Sequence, residues 1–419
     1  MTVAHTTARA GATRRTAADW EEARSAARDH RAVRPLPVVY RDLGAALGHA
    51  LAEPLAALTD LPSFDTSAMD GWAVAGPGPW RLREGGVLAG GGHPEPLSDG
   101  TAVPIATGAP LPAGASAVLR REHGETGEHA EHAATLSDRS PGPGRTAPGR
   151  DIRPRGQECR AGEPLLPAGT TVTPAVLGLA AAAGYDRLPV RRRPTVELLV
   201  LGDELLDSGP PHDGRVRDAL GPLLPPWLRD RGARVTERRR VSDDFGLLRT
   251  ALRDSAADVV VTTGSTAAGP VDFLHEALAE AGARLLVDSV AVRPGHPMLL
   301  AELPPAADGR PRRLVGLPGN PLAAVAGTAT LAVPLLRRLG GHADPEPLRM
   351  SAATALPGHP RDTRLLPVRR AHPHAVAPLP FDGPAMLRGL ALADGLAVVP
   401  PGGAPAGTDV EILDVPSGR

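Results

Sequence analysis

Between residues 194 and 339 short apolar runs alternate with amphipathic stretches, and no other feature constrains the fold of this 419-residue chain so tightly. Residues 196–201, 234–240, 258–263, 284–292, 298–303 and 313–317 read as strands. Residues 220–231, 246–255, 271–281 and 321–339 read as helices, the first interrupted or preceded by Pro225-Pro226. Alternation of this kind indicates an open, mainly parallel α/β sheet. Such sheets hold ligands at the carboxyl ends of their strands.

The rest of the chain has a different texture. Residues 17–30 predict a helix, with acids early and arginines late. Residues 43–58 predict a second, split at Pro54 and stopping before Asp60-Leu61-Pro62. Glycine, proline and short apolar pieces fill residues 76–148, with strands expected at 87–89, 102–107 and 115–120 and a loop from 122 to 150. Residues 165–172 and 175–184 return to the layer of the first helices. Beyond Gly341, short strands and many prolines predict a small β-barrel-like domain. The expected organisation is a flexible N-terminus (1–16), an N-terminal linker or dimerisation layer (17–75 and 149–190), an inserted β-rich domain (76–148), the α/β domain (191–340) and the terminal β domain (341–419).

Composition excludes several function classes. Net charge is −1, and no long basic block carries aromatics beside it, which argues against nucleic-acid and membrane partners. Aromatics are only 2%, so the cores must be built from Leu, Val and Ala. The single cysteine, Cys159, fits a reduced, cytoplasmic setting. The apolar runs 175–184 and 322–336 read as too short or too alanine-rich to span a bilayer. The chain has no lysine, one glutamine, three isoleucines and one asparagine, a pattern expected of a G/C-biased gene. That asparagine, Asn320, stands in Leu317-Pro318-Gly319-Asn320-Pro321, where it serves either as a turn former or as a side chain for which no substitute works.

Four polar runs follow strands of the α/β region. Gly202-Asp203-Glu204-Leu205 offers two acids for a hard cation, for acid–base work or for helix capping. Thr263-Gly264-Ser265-Thr266-Ala267-Ala268-Gly269 exposes backbone N–H groups to an anion, or forms an ordinary turn. Arg293-Pro294-Gly295-His296-Pro297 and the Asn320 run are the other two. Outside this region, Phe64-Asp65-Thr66-Ser67-Ala68-Met69-Asp70-Gly71 packs two carboxylates and two hydroxyls into six positions between apolar anchors.

Together these segments resemble the MoeA-type molybdopterin molybdenumtransferases, whose eukaryotic relative is the gephyrin E domain. Further matches are Thr107-Gly108-Ala109-Pro110-Leu111-Pro112, Arg155-Gly156, Ser242-Asp243-Asp244, Asp272 and Pro294-Gly295, in family order along nearly the whole chain. The resemblance implies a MogA-like α/β domain in an L-shaped, four-domain subunit. It also implies a homodimer, with a site between the α/β domain of one copy and the aspartate loop of the other. The implied reaction inserts molybdate into adenylylated molybdopterin with Mg²⁺ or a similar divalent cation, releases AMP and gives the molybdenum cofactor. Transfer to or from other molybdenum-cofactor proteins would follow.

Carried onto this sequence, the implied roles are as follows. Glu204, Asp244 and Asp272 would hold the metal and orient the attacking group, and Asp65 and Asp70 would face molybdate. Thr66, Ser67, Thr107 and Arg155 would supply compensating donors. Gly264, Ser265, Thr266, Gly269, Pro294, Gly295, His296, Pro318, Gly319 and Asn320 would bind the substrate. The chain departs from the family where Ser265 and Ala267 replace residues of a Ser-Gly-Gly-Val-Ser-Val-Gly loop. It departs again at Asp218-Ala219-Leu220, which lacks a hydroxyl and an amide, and at Leu201, His296 and Ala323. These changes keep open a second reading, a catalytically impaired paralogue that binds molybdopterin or acts as a scaffold. An adenylyltransferase would leave the Asp65 loop without a task.

Overall fold

A computed structural model describes residues 17–29, 31–129, 132–141, 146–266 and 273–416. The α/β unit is a six-stranded sheet in the order β2–β1–β3–β6–β5–β4. Its strands are β1 (Thr195–Leu201), β2 (Arg234–Val241), β3 (Val259–Thr263), β4 (Arg284–Asp288), β5 (Leu299–Leu303) and β6 (Arg312–Leu317). The first four in that order are parallel, while β5 and β4 run antiparallel to their neighbours. Every residue of β1 is buried, the pattern of a strand covered on both faces. Val196, Leu198 and Val200 join one core and Leu199 and Leu201 the other.

The helices are α1 (Leu220–Asp230), α2 (Phe245–Asp254), α3 (Leu274–Glu280) and α4 (Pro321–Leu339). Pro225 and Pro226 lie inside α1 without breaking it. Helix α4 passes through a π-helical segment, Thr328–Ala332. It spans the residues expected; against the expectation for the run 322–336 it is long and apolar enough to cross a membrane by length and composition, but 78% of its most apolar stretch is buried inside the fold.

Several expectations need correction. Residues 43–58 are helical only over Leu43–Ala46, because Gly48 takes φ +73° and turns the chain away. The rest forms bridges and the two-residue strand Leu55–Ala56. Residues 122–150 are not simply a loop. They contain the antiparallel pair Gly124–His129 and His132–Asp138, anchored by Leu136, which is fully buried with Trp80 and Leu119. Val87 makes only an isolated bridge to Ile105. The strand expected over 284–292 stops at Asp288, since Ser289 has φ +68°. The helix Trp20–Arg28, closed by an Asp19/Glu22 capping box, does not join the layer of residues 43–58. It packs on α4, where Trp20 Nε1 donates to Thr330 Oγ1 at 3.0 Å.

The insert is a six-stranded sheet with Gly71–Val74 paired between Ala117–Arg120 and Thr101–Ile105. The N-terminal layer pairs Val38–Asp42 with Arg187–Arg191 and adds the helix Pro174–Ala182. At the C-terminus, Thr363–His372 pairs with both Ala375–Pro378 and Gly395–Val399, closing a five-stranded barrel with Arg349–Ala352 and Asp409–Leu413. Val292–Arg293 adds in parallel to Thr363–Arg364 and fastens the barrel to the α/β unit.

Candidate active site

The carboxyl ends of β1, β3 and β6, neighbours in the sheet, open into one cleft. Leu201 and Glu204 line it from β1, Thr263 to Thr266 from β3, and Pro318 to Pro321 from β6. Pro297 contributes from the third polar run and Asp218 to Leu220 from the start of α1. Three strand-end motifs that lie far apart in the chain therefore share one space, as parallel topology requires.

Gly264 is the joint. Its φ of +89° suits glycine, its N–H donates to the Leu317 carbonyl at 2.9 Å, and a Cβ there would stand 3.2 Å from the Leu201 carbonyl oxygen. Ser265 follows at φ +52°, a left-handed conformation that costs a side-chain-bearing residue about 1–2 kcal/mol. Gly202, at φ +129°, leaves room for the Glu204 carboxylate, which a Cβ would approach to 2.5 Å. Asp203 N–H donates to Asp243 Oδ2 at 3.1 Å, so Asp243, rather than Asp244, reaches this turn. Asp244 caps α2 by accepting from Leu247 N–H at 2.8 Å. Gly269 and Asp272 lie outside the described residues. Among the described residues no three acidic, histidine or cysteine side chains cluster as metal ligands.

Asn320 has φ −68° and an exposed side chain that makes no capping hydrogen bond, so neither left-handed geometry nor capping explains it. The N–H groups of Leu322 and Ala323, in the first turn of α4, already donate to the Pro384 carbonyl at 2.9 and 3.2 Å. Pro384 belongs to the C-terminal region, whose Ala385 and Leu387 also line the cleft. Nothing local in the sequence marks these two as site residues. Arg217, a further lining residue, could have been found from its place beside Asp218. Pro294, Gly295 and His296 are not among the residues that line the cleft. Gly295 packs on the Ala323 carbonyl, and His296 Nδ1 donates to the Val290 carbonyl at 2.7 Å.

The aspartate loop forms a second locus on the N-terminal layer and insert. Asp65 Oδ1 accepts from Arg155 N–H at 2.7 Å, and Asp70 Oδ1 from Thr107 N–H at 2.8 Å. The Thr107 backbone N–H and then its hydroxyl hold the Asp70 carboxyl below the usual carboxylate range, with burial opposing and Arg121 adding a little. Both aspartates are exposed. Thr66 and Ser67 are buried, and Ser67 Oγ donates to the Met69 carbonyl, so the serine hydroxyl helps build the loop. Arg155 is pinned by Asp60. Among the described residues no hydrogen bond or ion pair joins this loop to the cleft.

Residues 18–184 match the family described as MoeA N-terminal region (domain I and II), residues 197–338 a probable molybdopterin binding domain, and residues 349–415 the MoeA C-terminal region (domain IV). The molybdopterin molybdenumtransferase 2 of Mycobacterium tuberculosis is 33% identical, over 94% of this chain and 98% of that protein. This chain belongs to the MoeA family. The molybdopterin molybdenumtransferase of Synechococcus elongatus is 34% identical over 68% of this chain and 72% of its own length. The MoeA protein of Pyrococcus horikoshii shares the fold, with a TM-score of 0.75 at 20% identity over 95% of this chain and all of the other.

Within this MoeA chain the family departures have visible consequences. Asp218 keeps a structural task, accepting from Gly221 N–H at 2.8 Å. Leu220 is 5% exposed and joins the main core, so an apolar contact stands where the family has an amide. Ala323 is buried at the start of α4. Ala267 lies outside the described residues.

Proposed function

We propose that this MoeA-family chain inserts molybdate into adenylylated molybdopterin, releasing AMP and leaving molybdenum on the dithiolene. The observation that carries this reading is the convergence of the Glu204, Gly264 and Asn320 motifs in one cleft of a chain whose named relatives are molybdopterin molybdenumtransferases. The open backbone at Gly264 to Thr266 would receive phosphate oxygens, and the Asn320 carboxamide would hydrogen-bond the pterin. A Mg²⁺ ion is ordinarily held by one or two carboxylates with substrate phosphates and water. Glu204, settled over Gly202 at the cleft, fits that demand, and Asp244 and Asp272 are further candidates. Such an ion would offset charge on the phosphoanhydride.

Asp65 and Asp70 are assigned to the molybdate end. Because they sit apart from the cleft in one chain, the reading calls for a homodimer in which the loop of one copy completes the cleft of the other. The exposed apolar side chains of Val38, Tyr40, Leu47 and Leu58 on the N-terminal layer suit contact with a second copy. Product would pass to other molybdenum-cofactor proteins.

The test combines purified chain, adenylylated molybdopterin, Mg²⁺ and molybdate and follows AMP release. The expected result is molybdate-dependent AMP; its absence beside an active relative overturns the assignment. Asp65→Asn keeps an acceptor for Arg155 N–H, so the fold should hold while insertion falls by at least about 10²-fold, the scale of losing one electrostatic catalytic group. Mixing Asp65→Asn with Glu204→Gln chains should restore activity, since one cleft of each mixed dimer is then intact. No recovery in verified mixed dimers would exclude a shared site.

A further inference from the structure

A second cavity lies where the N-terminal layer meets the α/β unit, at the amino ends of β1 and β2. It has a volume of about 570 Å³ and is lined by Arg41, His49, Arg192, Arg193, Arg229 and Arg234 with three small apolar residues, and by no acid. Arg192 is neutralised by a two-bond pair with Asp258. Arg41, Arg193, Arg229 and Arg234 make no ion pair with a carboxylate among the described residues. Arg193 donates to the Leu47 carbonyl at 2.6 Å, while its Nε is buried with no partner. His49 is 92% enclosed, and its Nδ1 donates to the Arg191 carbonyl at 2.8 Å. Burial lowers its pKa most, the bond to the Arg191 carbonyl opposes this, and the charges of Arg193 and Arg41 lower it further.

Four guanidinium groups without a carboxylate partner around one space are mutually repulsive, and a multiply charged anion relieves that repulsion with charge-assisted bonds. The cavity exceeds the room a single tetrahedral ion needs, and no aromatic lines it to stack a base. We propose that this cavity binds a ligand carrying two or more linked phosphate groups, gripped through its phosphates alone. The site is separate from the reaction cleft. The seven residues of β1 place it about 20 Å away, at the opposite end of the strands. Arg41 comes from the N-terminal layer and Arg229 and Arg234 from the α/β unit, so an occupant would tie the two together.

The probes are tripolyphosphate and ATP, titrated calorimetrically into the full chain at physiological ionic strength. Arg41, Arg229 and Arg234 are exposed, so their replacement leaves the core intact. Arg229→Gln/Arg234→Gln should weaken tripolyphosphate binding by about tenfold or more, the loss expected for two charge-assisted contacts. Arg41→Gln should weaken it in the same direction. Arg369→Gln on the barrel should leave it unchanged. ATP binding that falls in the double variant as far as tripolyphosphate binding does supports a grip on the phosphates alone; ATP that binds the native chain with no loss in the double variant is held elsewhere, and the cavity then takes a condensed phosphate without a nucleoside. No tripolyphosphate binding by the native chain overturns the proposal, as does a loss in the double variant no larger than in Arg369→Gln.

Discussion

The Gly264 N–H donates to the Leu317 carbonyl at 2.9 Å, locking the loop after β3 to the end of β6. The glycine-rich segment and the Asn320 segment therefore move as one wall of the cleft. Gly264→Ala places a methyl group 3.2 Å from the Leu201 carbonyl oxygen on a residue at φ +89°. The expected cost is about 1–2 kcal/mol of stability, with a fall in AMP release beyond what unfolding explains. Denaturant unfolding and turnover, measured together, check it; unchanged values in both would mean the joint is dispensable.

Ser265 invites the opposite change. At φ +52° a glycine is relieved of a steric penalty that outweighs its extra freedom in the unfolded chain, so Ser265→Gly should stabilise the protein by up to about 1 kcal/mol. It also restores the family's glycine at the anion-binding turn, so the Michaelis constant for the adenylylated substrate should fall. A lower unfolding midpoint would show that the serine side chain makes a contact worth more than its strain.

Asn320→Ala separates a ligand role from a structural one. The carboxamide caps nothing and its backbone is ordinary, so stability should shift by less than about 0.5 kcal/mol. Substrate affinity should drop about tenfold, the worth of one good hydrogen bond in a site. A large stability loss with normal affinity would return Asn320 to the role of turn former.

His342 gives the protein an acid limit. Burial, followed by Arg337, Arg193 and His49, lowers its pKa from 6.5 to about 4, while its Nδ1 hydrogen-bonds Thr171 Oγ1 at 2.9 Å. A histidine whose folded pKa is depressed takes up its proton earlier in the unfolded chain. Stability should be unaffected above pH 6.5, decline as pH falls towards 4, and level off below that, by up to about 3 kcal/mol in all. His342→Gln should flatten this part of the unfolding curve, as urea titrations from pH 7.5 to 4 would reveal. An unchanged slope would place the acid sensitivity elsewhere.

What the sequence determined by itself was local. The alternation over residues 194–339 specified a sheet with buried parallel strands, because an apolar run covered on both faces has few other solutions. The same logic put the Glu204, Gly264 and Asn320 motifs at strand ends, and the order of motifs along the chain carried the family. Turn chemistry set limits on this: Gly48 and Ser289 ended elements that periodicity would have continued.

Tertiary structure decided which distant groups satisfy one another. Helix Trp20–Arg28 was legible as a helix, yet its apolar face had no way of declaring that Thr330 on α4 would receive the Trp20 indole. The Pro384 carbonyl on the first amides of α4 and the arginines gathered from residues 41 to 234 were equally silent. Periodicity records that a face must be buried and a donor satisfied. The partner is chosen by packing between segments hundreds of residues apart, and no local pattern encodes that choice.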